Sequence, residues 1–154
     1  MKITFYDTKV TEEHRIVLVE ESVVGYSVEN FEMPALIAEM LNNVTHLNEK
    51  GEEHCYMLAM DIKNRILGMF FISKGTKNQS VVGGREVFMR ALLVGASHII
   101  LCHNHPSGDC FPSKEDIVIT KKFKDAGELI GVPVSDHIIV GGDSYFSFLE
   151  HELL

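Results

Sequence analysis

The chain has 154 residues, 45% hydrophobic and 23% charged, the balance of a globular domain with one core rather than a disordered or fibrous chain. Fourteen Lys and Arg stand against 22 Asp and Glu, a formal net charge of −8, which opposes the basic footprint of a protein that grips a phosphate backbone. No apolar run approaches the roughly 20 residues of a membrane helix, the start MKITFYDTKV lacks a signal peptide's apolar region, and three cysteines at irregular spacing argue against a disulfide framework, so cytoplasmic residence is the expectation.

Lys2 to Val10 and Arg15 to Val24 read as strands, rich in β-branched and aromatic residues, with Glu12-Glu13 in the turn between them. This hairpin, residues 1–28, precedes the main domain, residues 29–154. It can pair with the edge of that domain's sheet or with a second copy of the chain, so a homodimer through the hairpin is one expected arrangement. Asn30 reads as the cap of a helix from Phe31 to Leu41, with Leu36, Ile37, Met40 and Leu41 on its apolar face and Pro34 in its first turn. Asn42 to Glu52 is polar and reads as a loop. Glu53 to Ile62 and Arg65 to Ser73 read as a central hairpin turned at Lys63-Asn64. Lys74 to Gly84 reads mainly as a loop, and Arg85 to Val94 sets Val87, Phe88, Ala91, Leu92 and Leu93 at helical spacing.

His98 to Cys102 is an apolar run and reads as a buried strand. Pro106, Gly108 and Pro112 mark a turning loop. Ser113 to Ile130 is the longest helix, capped by Ser113, stopped by Gly131, with Ile117, Ile119, Phe123, Ala126 and Leu129 as its apolar positions. Val132 to Val140 reads as a further strand, Gly141-Gly142 as a turn, and Tyr145 to Leu154 as a short strand or helix.

The chemistry concentrates in Leu101 to Asp116, LCHNHPSGDCFPSKED. Residues two apart on an extended segment point to the same side, so the rings of His103 and His105 can reach one ion. Asp116 falls in the first turn of the following helix. Two imidazoles and a carboxylate suit a catalytic zinc that keeps a fourth position for water, although iron, cobalt or manganese fit the same donors. Asp116 read alone is a carboxylate at the positive end of a helix. Ser113 read alone is an N-cap.

His103-x-His105-Pro106, six residues, then Ser113-x-x-Asp116 resembles the JAMM signature of MPN-domain metalloproteases. The fuller string, with REVF (85–88) upstream and DHIIVG (136–141) downstream, resembles the RadC branch of that family from about Asn30 to Gly142. Two departures are Cys110, where proline is usual, and Gly83-Gly84 before Arg85; neither touches a ligand position. The resemblance implies an α/β fold of the MPN (JAB/JAMM, cytidine-deaminase-like) type, with a mixed central sheet flanked by helices and the hairpin as an addition. It implies one Zn2+ on His103, His105 and Asp116, with a glutamate at the start of a core strand as general base. That position matches Glu53. Glu52, one residue away, would face the other side of the strand, and Glu86 is a further candidate that reads better as a helix-start carboxylate. The family role of Ser113 is to donate to the oxyanion. The implied activity is hydrolysis of a peptide or isopeptide bond in a peptide or protein substrate. The alternative is a RadC-like accessory protein of DNA repair or mobile-element biology, without proteolysis and with a structural metal.

Other residues read more plainly. His137 beside Asp136 is either an outer partner of the metal site or a core histidine. His54 and His98 read as scaffold, and His14, His46 and His151 as exposed. Cys102 should point away from the metal because His103 points toward it, while Cys110 in the loop could approach it. Lys121, Lys122 and Lys124 read as a solvated helix face. His103-Asn104-His105 spells HNH, but the nucleases of that name spread the three residues over a ββα unit, and neither membrane nor nucleic acid is expected as a direct ligand.

Overall fold

The structure, a computed structural model, describes residues 1–75 and 83–154. The chain runs β1 (Lys2–Val10), β2 (Ile16–Gly25), α1 (Pro34–Thr45), a 3-10 turn (Leu47–Glu49), β3 (Glu53–Met60) and β4 (Ile66–Gly75). It continues through α2 (Gly84–Val94), β5 (His98–Asn104), α3 (Lys114–Ile130), β6 (Val134–Gly141) and β7 (Ser144–Ser147). The strands form one open sheet in the order β2-β1-β4-β3-β5-β6-β7. It is mixed: β1 and β4 run parallel, as do β5 and β6, and the other neighbours are antiparallel. The expected α/β architecture with helices flanking a mixed sheet is what forms.

Alternation along the central strands explains why both faces carry helices. On β3, Tyr56, Leu58 and Met60 pack with Ile37, Met40 and Leu41 of α1. Met57 and Ala59 face the other way, toward Val87, Phe88 and Ala91 of α2 and Phe123 of α3. On β5, Ile100 and Cys102 belong to the α1 side, and Ile99 and Leu101 to the α2/α3 side. A strand buried on both faces reads as a continuous apolar run rather than an alternating one. Odd positions on β5 therefore look toward α3, and His103 continues that row. The hairpin joins the sheet through a parallel contact of β1 with β4, Phe5 opposite Met69, and Ile3 is fully buried in the α1-side core.

Several boundaries differ from the sequence reading. The first helix begins at Pro34 rather than Phe31, and its N-cap is Met33, with no side-chain cap bond. Proline disfavours the helical conformation for the residue before it, and Met33 is extended, with φ −114° and ψ 134°. Phe31 instead enters the core, its N–H donating to the Asn64 carbonyl at 2.8 Å. The same helix runs on to Thr45, followed by the 3-10 turn, where a loop was expected; Thr45 returns its hydroxyl to the Leu41 carbonyl at 2.6 Å. On α2, Leu92 and Leu93 are exposed. On α3, Ile117 and Leu129 are 43% and 89% exposed, so they are not core positions. The last ten residues are the short β7 followed by turns. The loop expected between Lys74 and Gly84 falls largely on residues outside the described ones.

Candidate metal centre

Three chain segments meet at one end of the central strands. β3 and β5 are antiparallel, with Cys55 opposite His103, so the start of β3 lies beside the end of β5. Following that register by two residues sets Glu53 against His105. The loop after β5 turns at Gly108, φ 82°, and delivers the chain to the N-terminus of α3. His105 is anchored at its backbone, where its N–H donates to the Val140 carbonyl at 2.8 Å.

The donor atoms converge. Nε2 of His103 and Nε2 of His105 are 3.1 Å apart. Asp116 Oδ1 is 3.3 Å from the first and Asp116 Oδ2 is 3.3 Å from the second. Glu53 Oε1 is 3.7 Å from each. The four residues offer ligand atoms within 4.8 Å of one another. Tetrahedral zinc with bonds of about 2.0–2.1 Å has ligand-to-ligand edges of roughly 3.4 Å. The two ring nitrogens are slightly closer than such an edge, each Asp116 oxygen stands about one edge from a different ring, and Glu53 Oε1 stands somewhat farther from both.

The proton positions suit a cation as well. His105 Nδ1 lies 2.8 Å from the Asp109 carbonyl. A carbonyl only accepts, so Nδ1 carries the proton, and in the neutral ring Nε2 presents a lone pair to the centre. Asp116 raises the pKa of His105, first through their hydrogen bond, against the opposing effect of burial. A metal on Nε2 would displace that extra proton. Burial holds His103 well below the usual histidine range, helped by His137 and opposed by Asp116. Burial pushes the Asp116 carboxyl up, but His105, His103 and Ser113 together hold it well below the usual carboxylate range. With that proton displaced, the donor set is two neutral rings and an ionised carboxylate, the forms that bind metal.

Ser113 is the N-cap of α3, and with Asp116 it forms a capping box. Its N–H and hydroxyl donate to Asp116 Oδ2 at 2.7 and 2.6 Å, and its oxygen accepts from the Asp116 N–H at 3.2 Å. Glu52 is exposed, on the other side of the strand, and ion-pairs with Lys74. Glu86 sits in the first turn of α2 beside Arg85, 3.4 Å away, and is not in the cluster. Cys102 is buried on the α1 side, away from His103, and Cys110 packs against Ile139, Phe146 and Phe148.

The chain belongs to the RadC-like JAB domain family. The family model for the RadC-like JAB domain matches residues 31–153. The UPF0758 protein of Geotalea uraniireducens is 43% identical over 128 residues, 83% of this chain and 55% of its own length. The UPF0758 protein of Pelobacter propionicus is 47% identical over 108 residues, 70% of this chain and 47% of its own. That of Finegoldia magna is 46% identical over 114 residues, 74% of this chain and 50% of its own. The chain therefore spans about half the length of these curated relatives, whose name states no activity. The matched span contains all four residues of the cluster, Glu53, His103, His105 and Asp116.

Three contributors to the site escaped the sequence reading. Asn104, between His103 and His105, accepts from the His54 N–H at 2.7 Å and donates to the carbonyls of Lys50 and Glu52, both at 3.2 Å. It faces away from the cluster and pins the segment that carries Glu53. Cys55 shares Glu53's side of β3; burial pushes its thiol up to about 12, and Glu53 and Asp116 add to the shift, so it stays protonated at neutral pH. Thr120 lies one helical turn after Asp116, and that spacing was the available signal. His137, left open from sequence, is buried against His103, its Nε2 2.8 Å from His103 Nδ1. Its neighbour Asp136 does not touch the ring: it accepts from the His137 and Leu149 N–H groups and from the Ser147 hydroxyl.

Proposed function

We propose that this chain is a zinc-dependent hydrolase of the JAMM type that cleaves a peptide or isopeptide bond. The observation that carries the reading is the spacing of the donors: the two ring nitrogens and the Asp116 carboxylate lie within 3.1–3.3 Å of one another, and the Glu53 carboxylate is set farther out at 3.7 Å. A structural zinc site closes with four protein ligands, whereas a catalytic one holds three and keeps a position open. His103, His105 and Asp116 would hold the ion. Zinc bound there supplies a water that ionises near neutral pH and polarises a substrate carbonyl.

The remaining work falls to the chain's own groups. Glu53 Oε1 accepts the proton of the attacking water and returns it to the leaving nitrogen. The Ser113 hydroxyl, which donates to Asp116 Oδ2 in this structure, turns its proton to the developing oxyanion, a contact worth roughly 3 kcal/mol of barrier. The capping box keeps the Asp116 carboxylate oriented through the Ser113 N–H while that hydroxyl is engaged. The net charge of −8 supports a peptide or protein substrate over a nucleic acid.

The test uses zinc-loaded protein against peptide and isopeptide-linked substrates, with Glu53→Gln beside it. The expected result is cleavage by the wild type, lost by roughly 10²–10⁴-fold in Glu53→Gln, at unchanged zinc content. Equal inactivity of both proteins on every such substrate would overturn the hydrolytic reading. Loss of zinc from Glu53→Gln would make Glu53 a fourth ligand and the metal structural.

A further inference from the structure

His105 is held in its ligand tautomer by one carbonyl. His103 reaches the same state by a longer route. Thr120 Oγ1 is 2.6 Å from the Asp116 main-chain carbonyl and 2.6 Å from His137 Nδ1. The carbonyl cannot donate, so the single hydroxyl proton of Thr120 lies between the two oxygens. The contact with His137 then needs the ring's proton, which places it on Nδ1. A neutral His137 is left with a bare Nε2. At 2.8 Å from His103 Nδ1, that atom accepts, so the His103 proton sits on Nδ1 and its Nε2 is bare toward the metal centre.

Reversing the Thr120 hydroxyl would reverse every proton in the row. It would donate to His137 Nδ1, His137 would donate to His103 Nδ1, and a neutral His103 would carry its proton on Nε2, where it cannot ligate a metal. One threonine hydroxyl thus decides the state of a ring two residues along the hydrogen-bonded row. Thr120 and His137 are both buried, and so is His103, so water does not compete for these bonds. Phe148 stacks on the His137 ring at 5.0 Å between centroids, 15° from parallel, which fixes its plane.

We propose that Thr120 and His137 are positioning residues that hold His103 in the Nδ1–H tautomer and lock β5 to the helix bearing Asp116. The row begins on the main-chain carbonyl of Asp116 and ends on the ring whose Nε2 lies 3.3 Å from the Asp116 carboxylate. It is a closed loop: a shift of α3 along β5 breaks the ligand spacing and the proton row together. Partners of this kind beyond the ligands fix ring orientation and tautomer in metal sites, and their loss typically costs roughly 10- to 100-fold in metal affinity. The inference rests on the reading of His103, His105 and Asp116 as metal ligands, not on hydrolysis.

The experiment has two arms. In metal-free wild-type protein at pH 8, long-range 15N-correlated NMR of the imidazoles is expected to show protonated Nδ1 and bare Nε2 on both His103 and His137. A protonated Nε2 with a bare Nδ1 on His103 would overturn the proposal without any variant. In the second arm, zinc affinity is measured by competition with a chromophoric chelator. Thr120→Val, which keeps the shape and removes the hydroxyl, is expected to bind roughly 10- to 100-fold more weakly, and Thr120→Ser to restore wild-type affinity. Wild-type affinity in a folded Thr120→Val protein would also overturn it. A protein that cleaves no peptide yet shows the Nδ1–H tautomer and the Thr120→Val loss would remove the hydrolytic reading and leave this one standing.

Discussion

Asn104 Oδ1 accepts the His54 N–H at 2.7 Å, so the residue between His103 and His105 also holds the start of the strand that carries Glu53. Its amide nitrogen reaches the carbonyls of Lys50 and Glu52, which makes three bonds from one buried side chain. Asn104→Ala leaves these backbone groups without their partner at about 1–3 kcal/mol for each one that stays dry. Asn104→Asp is the sharper probe, because it keeps the bond to His54 and sets an acceptor against two carbonyls. We expect both variants to lower the melting temperature, and any activity to fall further than stability because Glu53 moves. The check is thermal unfolding beside turnover at a temperature where both proteins stay folded. An Asn104→Asp protein that melts with the wild type would show that the anchor is not needed.

The loop between His105 and Ser113 packs on the backbone of β6 at Gly141. A Cβ there would stand 2.6 Å from the Cys110 nitrogen and 2.8 Å from the Asp109 carbonyl carbon and the Gly108 oxygen. These are main-chain atoms that cannot swing aside. Gly141→Ala should therefore cost about 1–3 kcal/mol, as overpacking does. It should also weaken metal binding, since Asp109 carries the carbonyl that orients His105. Calorimetric unfolding and a zinc titration would both register the change; wild-type values in each would mean that the loop has room to spare.

The strands of the sheet were readable because their apolar runs are long and bounded by polar turns, as at EHCYMLAM and HIILCHN. The cluster was readable because two histidines on one side of a strand precede a helix-start serine and aspartate. The inward face of α3 was not. Its stripe is Asp116, Thr120, Phe123 and Gly127, and two of the four are polar because they bond within the histidine–carboxylate cluster rather than pack in the core. Reading apolar periodicity alone turned Ile117 and Leu129 inward, and both are exposed. Gly127 carries no hydrophobic signal either, yet a Cβ there would meet the Val132 carbonyl at 2.7 Å. The start of α1 was misplaced for a local reason: proline and its extended predecessor outweighed an asparagine that resembled a cap.

Ser113 and Asp116 cap α3 in both directions. Ser113→Ala removes the hydroxyl and its two contacts, and should cost about 1 kcal/mol, a fall of about 2–4 °C in melting temperature for a chain of this size. Ser113→Thr should recover most of it. If Ser113 also serves the oxyanion, the alanine variant loses far more rate than that stability change explains, and the threonine variant regains it. Equal melting of alanine variant and wild type would contradict the cap.

Burial lowers the His137 pKa to about 4, with Asp116 opposing and His105 assisting. The unfolded chain takes up a proton on this residue near pH 6.5, which the folded protein refuses until about pH 4. Between those limits the unfolded state binds more protons, so stability falls as pH falls. From pH 6.5 to 5 this one ring contributes a loss of roughly 2 kcal/mol. His103 shifts in the same direction. His105 shifts oppositely, since Asp116 raises it, and it returns stability as pH drops below its folded pKa. Metal-free protein should therefore unfold at lower urea at pH 5 than at pH 7. His137→Gln, which cannot titrate, should show a shallower dependence. The urea midpoints of the wild type and His137→Gln across that range decide the matter: parallel curves would mean that His137 charges freely inside the fold, and the proton row from Thr120 to His103 could not then be neutral.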